Sequence, residues 1–477
     1  KTLPLALCLC GLVVSQISVA QEWIQNLPKN KELTFFDIKK TFEDYWRIQP
    51  PFATDEARRK DGEYAQFMRW AKFIEPRTYP SGNFDPNILW QEYHNYFSDK
   101  RNTKNATAMS AWVPMGPTAT PGNGGGVGRI NVMRFMPSNS NTIFIGAPNG
   151  GLWESTDGGN TWSSNTDLLP NISIADIAID PSNTNNMYLA TGDGYGYEVG
   201  VPFWGGTYSA GILKSTDGGA TWNSTGLSYS QTQYNIINRL LVNPLNPSVL
   251  LACGRDGIHR SNDGGTTWTA VQTGTFFDME FNASNANTVY AASSNDIYKS
   301  TNAGATWTAL SAGIGTGNSR VALAVTPANA LIIDALVCDG TGTIGALFKS
   351  TNGGTSFANI GTADIGYGYY NTILAASPTD VNTLYTSGLD VSKSTDGGVT
   401  WNTVSDWSAW PNSNYDHADG HDLQFLPGSN TTVFTCNDGG IFKTTDGGST
   451  WNDISSGISI AQFYRLGCSA TNPNFVY

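Results

Sequence analysis

The sequence predicts an all-β fold: a β-propeller of at least seven four-stranded blades, preceded by a small helical N-terminal arm. Three observations carry this. One octapeptide recurs seven times, its spacing is that of a blade, and the composition suits strands and tight turns. At 477 residues the chain is longer than one core usually serves unless the fold is repetitive. Charged residues make up only 14%, whereas Gly (52), Trp (15), Tyr (20) and Phe (21) are abundant.

The octapeptide appears as Ser155-Thr-Asp-Gly-Gly-Asn-Thr-Trp162 and returns at Ser215, Ser261, Ser300, Ser350, Ser394 and Thr444. Successive intervals are 60, 46, 39, 50, 44 and 50 residues, the period of a four-stranded blade. Each unit repeats one syntax. An apolar strand ends in a Pro/Asn turn (Ile177-Ala-Ile-Asp-Pro-Ser-Asn183), and a β-rich strand follows (Asn186-Met-Tyr-Leu-Ala190). A third strand (Gly211-Ile-Leu-Lys214) runs into the octapeptide, and the last starts at its Thr-Trp. We call these strands A to D, from the axis outward.

The octapeptide is then the C–D turn. Its third position is Asp157, Asp217, Asp263, Asn302, Asn352, Asp396 and Asp446. Ser/Thr and Asp oxygens accept turn amides, Gly takes the positive φ, and the aromatic packs between blades. Asn at two positions can accept the same bonds, which fits a folding role rather than a catalytic one.

These residues resemble the Asp-box, or bacterial neuraminidase repeat, over roughly 112–477. The resemblance implies a propeller like those of sortilin-type receptors, xyloglucanases and sialidases. The chain is most similar to sortilin-type repeat proteins exported by Gram-negative bacteria. That rests on Gly128-Arg-Ile-Asn131, Gly150-Gly-Leu-Trp153, Thr191-Gly-Asp193, Asp416-His417, Asn437-Asp-Gly-Gly440 and Gln462-Phe-Tyr-Arg465. Such proteins often carry a sorting domain for type 9 secretion, which is not visible here.

The first twenty residues read as an export signal: Lys1, an apolar run from Leu3 to Val14, and small residues at Ser18 and Ala20 for cleavage. The run is too short to span a bilayer, and no later segment suits one. The expected location is outside the cell or on its surface. Residues 21–110 differ in charge and period, with 14 basic and 13 acidic residues. Phe35, Ile38, Phe42 and Tyr45-Trp46 suggest one amphipathic helix; Tyr64, Phe67, Trp70 and Phe73 suggest another. This arm reads as a cap on the propeller or a removable pro-segment.

From Ala111 onward there are 12 basic and 26 acidic residues, 23 of them Asp. Such a surface repels phosphate backbones and argues against nucleic acid. Four cysteines remain after cleavage, without a CxxC pair. Cys253, Cys338 and Cys436 end the same strand in different blades and read as core packing; a Cys436–Cys468 bridge is an option. The chain ends inside a strand-like stretch, Phe463 to Tyr477, and does not start with Met. Both suggest a fragment, and the stretch reads as an eighth unit, implying at least eight blades or a second propeller.

The octapeptides occupy the face of the A–B and C–D turns, so binding is expected on the opposite face of B–C and D–A loops. Two insertions there are rich in aromatics and carboxylates. One holds Asp193, Tyr195, Tyr197, Glu198, Phe203, Trp204 and Tyr208. The other holds Asp406, Trp407, Trp410, Tyr415, Asp416, His417, Asp419, His421 and Asp422. A third loop adds Tyr367, Tyr369 and Tyr370. Aromatic platforms beside acids suit sugar rings; they suit an extended peptide equally, or packing of the loops on one another. The expected partner is therefore a polysaccharide or an extracellular protein. Asp416, Asp419 and Asp422 with two imidazoles could ligate Ca²⁺, although the spacing matches no closed motif and no cofactor is required.

Asp193, Asp416 and Asp438 are the candidate catalytic acids. A sialidase needs an arginine cluster and a Tyr/Glu pair, but the repeat region has only Glu154, Glu198 and Glu280, and Arg129 sits in a loosely matching context. Xyloglucanase resemblance would put acids before Gly-Gly pairs, where this chain has Pro148-Asn149 and Asn437, with Asp438 shifted by one. Gly124-Gly-Gly-Val-Gly128 precedes no helix and reads as a turn rather than a phosphate cradle. The sequence therefore favours a binding scaffold, with a β-glucan hydrolase as the rival.

Overall fold

Strands B are buried on both faces, and that sets the architecture. Met187–Thr191, Leu250–Gly254, Ile333–Cys338 and Val433–Asn437 expose no residue at all. A sheet whose middle strand is buried throughout must be sandwiched between two others. The computed structural model describes residues 23, 26–28, 33–49, 63–83, 116–122, 124–167, 169, 171–194, 207–230, 233, 235–310, 312–339, 344–366 and 368–461. The expected export signal at 1–20, Tyr195, Tyr197, Trp204, Tyr367, Cys468 and the 463–477 stretch lie outside the described residues.

Seven four-stranded antiparallel sheets follow in order, each pairing its strands sequentially. Their inner strands are Val132–Met136, Ile174–Ile179, Ile237–Val242, Phe276–Asn282, Arg320–Val325, Ile373–Ala376 and Gly420–Phe425. Each lies beside the inner strand of the next blade, and the last lies beside the first. The molecule is therefore a seven-bladed β-propeller. Among the described residues the ring closes with seven blades, blade 7 packing on blade 1, so this ring has no place for an eighth; the 463–477 stretch, read as an eighth unit or the start of a second propeller, lies outside them. Val127, Ile130, Met133 and Ile143 share one core with Phe434, Cys436 and Ile441.

The octapeptide turns are alike in all seven blades. In the first, the Ser155 hydroxyl donates to Asp157 (2.8 Å) and accepts the Gly159 N–H (2.8 Å). Asp157 accepts the Thr161 N–H (2.9 Å) and hydroxyl (2.7 Å). Asn302 and Asn352 keep the amide acceptor and reverse the other bond: Asn302 Nδ2 donates to Thr306 (2.9 Å), Asn352 Nδ2 to Ser356 (2.8 Å). The turn aromatics enter the interface with the preceding blade, Trp162 against blade 7, Trp222 against blade 1 and Trp451 against blade 6. Cys253, Cys338 and Cys436 are buried on strands B.

Around the axis the blades are linked by charge. Inner strands of blades 2, 4 and 7 each carry a β-bulge, skipping Ala175, Phe277 and His421. The bulge re-aims the following aspartate at the next blade. Asp176 accepts the Leu240 N–H (2.8 Å), Asp278 the Leu323 N–H (2.8 Å) and Asp422 the Met133 N–H (2.9 Å). Arg134 bridges Asp422 (2.8 Å) and Asp176; Arg239 bridges Asp176, Asp278 (3.3 Å) and Glu280. An ionic chain thus runs from blade 7 through blades 1, 2 and 3 to blade 4.

The N-terminal residues form two helices, α1 (Phe35–Arg47) and α2 (Glu63–Thr78). A capping box starts α1: Thr34 accepts the Asp37 N–H (3.2 Å), and Asp37 accepts the Thr34 N–H (3.1 Å). Phe35, Ile38 and Phe42 pack with Phe67 and Ala71 of α2, Phe42 stacking on Phe67 at 3.6 Å between centroids. No helix among the described residues is long and apolar enough to cross a membrane.

Two outcomes follow from these contacts. Hydrogen bonds from the Thr hydroxyl and amide hold Asp157, Asp217 and Asp396 down to about 2. A depressed acid stabilises the fold above its unfolded pKa of about 3.9 and loses that contribution as pH falls through its folded value. Thermal melting should therefore weaken between about pH 4 and pH 2, less steeply in Asp217→Asn; an unchanged slope would contradict the turn account. Asp422→Ala leaves the Met133 N–H without its acceptor and Arg134 without one of its two carboxylates across the closing interface, and should cost about 3–5 kcal/mol in urea unfolding.

Candidate functional site

Where the channel opens on the loop face, side chains from three blades converge on Arg129 at the entry to a fourth. This residue lies in the segment leading to the first inner strand, held by Val127 N–H to Gly439 O (2.8 Å) and Ile130 N–H to Asn437 O (3.0 Å). Backbones meet so closely there that a Cβ on Gly126 would overlap Gly439, and one on Gly439 would overlap the His417 ring. Two glycines thus set the entry of Arg129 against blade 7.

Arg129 donates to Asp193, in the B–C loop of blade 2, and to the Tyr370 hydroxyl (2.9 Å). Tyr370 belongs to a helical turn, Gly368–Asn371, before the inner strand of blade 6. Its hydroxyl donates to Asp438 (3.1 Å), in the B–C turn of blade 7, which also bonds His421 Nε2 (2.7 Å). Tyr370 and His421 meet edge to face at 4.8 Å. His421 occupies the blade 7 bulge, which turns its ring to the mouth rather than into the sheet.

Electrostatics make this cluster an ionised one. Burial pushes the Asp438 carboxyl up, but the His421 bond and the His421 and Arg129 charges outweigh it and hold it below the usual range. Burial lowers His421 against the pull of Asp438. Burial opposes the Arg129 charge, yet Asp193, Tyr370 and Asp438 raise its pKa. Burial raises the Tyr370 phenol, so it stays a donor. The Asp193 side chain is fully buried, whereas that of Asp438 is 31% exposed. Asp438 is the cluster's carboxylate accessible to a ligand. Below it, a small cavity descends between Arg134, Asp176, Arg239, Asp278, Glu280 and Asp422.

The structure distributes the remaining expected residues differently. Asp416 is buried, accepts Thr435 Oγ1 and Asn437 Nδ2 (both 2.9 Å), and is pushed by burial up to about 8. It is neutral at pH 7 and holds the loop on strand B of blade 7. Tyr415, expected as a ligand platform, is buried instead, its hydroxyl donating to Gly124 O (2.7 Å). Trp410 stacks edge to face on Tyr415 and donates to Gly122 O (3.0 Å). Both pack the loop on the 122–124 turn. His417, half-buried, has Nδ1 at 3.1 Å from Ala418 O. Trp407 is 48% exposed and stands beside Asp390, which accepts its N–H (2.8 Å).

The three expected calcium ligands do not converge. Asp416 faces Thr435 and Asn437, while Asp422 serves Met133, Arg134 and Gln424. Among the described residues no three His, Cys, Asp or Glu side chains gather as metal ligands.

The sequence reading missed Arg129 as a hub. Its signal was there: one of few cations in an acidic region, placed at the entry to an inner strand. What it pairs with lies 64 and 241 residues away.

No protein-family model matches the chain, and no curated protein matches it in sequence. Among solved structures it is similar in fold to the GH74 xyloglucanase of Xanthomonas campestris (TM-score 0.51, 21% identity, 68% of this chain and 53% of that one). The GH74 enzyme of Niastella koreensis gives 0.51, 22%, 70% and 55%. An ancestral GH74 enzyme gives 0.52, 18%, 71% and 48%. The chain spans about half the length of these proteins. At such identity the likeness is one of fold.

Asp416 yields a pH-dependent outcome. A raised acid stabilises the fold below its unfolded pKa, near 3.9, and loses that contribution as pH rises through about 8. Asp416→Asn keeps both acceptor bonds without a charge to bury. Its melting temperature should exceed that of the parent at pH 9, by a margin that shrinks steadily toward pH 4; a variant destabilised at both ends would contradict the neutral assignment.

Proposed function

We propose that the chain is an exported recognition or adhesion scaffold of the Asp-box, sortilin-like class, from a Gram-negative bacterium, that binds a polysaccharide or an extracellular protein on its loop face. The observation that carries this reading is the state of the mouth: an accessible carboxylate, Asp438, kept ionised by His421 and Arg129 beside a phenol donor. Such a group accepts hydrogen bonds from ligand hydroxyls or amides. Exposed Trp407 offers an apolar plane on the same face.

The rival is glycoside hydrolysis, favoured by the fold shared with GH74 xyloglucanases. Hydrolysis by a carboxylate pair needs one acid that is protonated and within reach of the leaving oxygen. Here the protonated acid, Asp416, is buried behind the loop, and Asp193 is buried against Arg129. The chemistry of the described residues therefore supports binding over turnover.

A glycan array with purified protein, followed by reducing-end assays on β-glucans and a peptide-ligand screen, separates these readings. Binding without release is expected, with Trp407→Ala weakening a glycan about 3- to 10-fold. Release of reducing ends, lost in Asp438→Asn, would replace the scaffold with the hydrolase.

A further inference from the structure

On the turn face, five blade interfaces share one staple. The residue just before the octapeptide is basic in blades 2 to 7, and in blades 2 to 6 it donates to the fourth residue of the next blade's octapeptide. Lys214 reaches Gly264 O (2.8 Å), Lys299 Gly353 O (2.6 Å), Lys349 Gly397 O (2.9 Å) and Lys393 Gly447 O (3.0 Å). Arg260 Nε reaches Ala303 O (2.8 Å). In three of them the ammonium also lies over a strand B ring: Tyr188 at 5.4 Å, Tyr290 at 5.7 Å and Tyr385 at 5.5 Å.

Between blades 1 and 2 the same nest exists without its cation. Strand register pairs Phe144 with Glu154 as it pairs Tyr188 with Lys214, so Glu154 stands where the lysine would be. The ring remains, as Phe144. The acceptor remains, as Gly218, and among the described residues nothing donates to its carbonyl or to the Glu154 carboxylate. The neighbouring Gly219 carbonyl takes Asn165 Nδ2 (2.9 Å), so the blades stay joined beside the gap. Phe144, Glu154, Ser163, Ser164 and Gly218 line a small pocket.

We propose that this pocket binds a primary ammonium on an unbranched alkyl chain, as a lysine side chain of a partner polypeptide presents it, between the Glu154 carboxylate, the Gly218 carbonyl and the Phe144 ring. A carboxylate at the lysine position converts a built-in staple into a receptor for one, since a charge-assisted bond and a ring face both favour a desolvated cation. Burial raises the Glu154 carboxyl, and an incoming cation reverses that. The site lies on the face opposite the Arg129 cluster and stands independently of the function proposed above.

Calorimetry on the full chain tests this with Nα-acetyl-lysine methylamide, its Nε-acetylated counterpart and n-butylamine. The lysine amide should bind saturably, the Nε-acetylated form should not, and Glu154→Gln should weaken binding at least about tenfold. Glu154→Lys should fill the nest, abolishing binding while raising the melting temperature. Equal binding of the acetylated probe, or binding retained in both variants, would overturn the site. Butylamine binding as tightly as the lysine amide would overturn its assignment to a polypeptide.

Discussion

The ring depends on a carboxylate reaching from one inner strand to a backbone amide of the next blade. Near the axis seven strands crowd around a polar cavity, and strand A can pair with strand B only on its outer edge. Its inner edge would otherwise leave N–H groups without partners, at a cost of about 1–3 kcal/mol each where water is excluded. Asp176, Asp278 and Asp422 supply those acceptors. Arg134 and Arg239 then bridge the carboxylates, so their charges offset part of the negative charge around the axis. The apolar interfaces hold blades together without direction; these bonds fix which amide meets which strand.

The same bulges that aim the aspartates also shape the mouth. Because His421 is the residue skipped in blade 7, its ring leaves the sheet and meets Tyr370 and Asp438. Blade closure and the candidate binding cluster are therefore built from adjacent residues, with Asp422 closing the ring and His421 facing the loop side. Turns at the far rim have a separate task. Their Ser/Thr and Asp/Asn side-chain oxygens are spent locally, within five residues, which leaves recognition to loops at the other end and to the exceptional position at Glu154.

Much of the fold was legible in the sequence because the octapeptide is a local device. Ser155 and Asp157 bond within their own turn, so the pattern survives wherever it occurs, and even Asn302 and Asn352 read correctly as turn formers. Closure was not legible. Met133 meets Asp422 across 289 residues, and nothing local in the 463–477 stretch signals that blade 7 already has its neighbour. The candidate site was legible in part. Asp193 and Asp438 stood out as loop acids, and Asp438 meets the 416–422 loop through its bond to His421. Tyr415 and Trp410 could not be told from Trp407, since loop aromatics have one composition whether they pack on the Gly122 and Gly124 carbonyls or face solvent. Glu154 breaks a series that aligning Lys214, Arg260, Lys299, Lys349 and Lys393 makes visible, but a series of staples gains meaning only from the carbonyls they reach.

Hydrogen–deuterium exchange resolved at single amides tests the closed ring most directly. The Met133, Leu240 and Leu323 N–H groups face the cavity rather than a neighbouring strand. The account expects all three to exchange as slowly as the ladder amides of strands B. Exchange at loop rates, at Met133 above all, would mean that blade 7 does not clasp blade 1 and would contradict the carboxylate-linked ring.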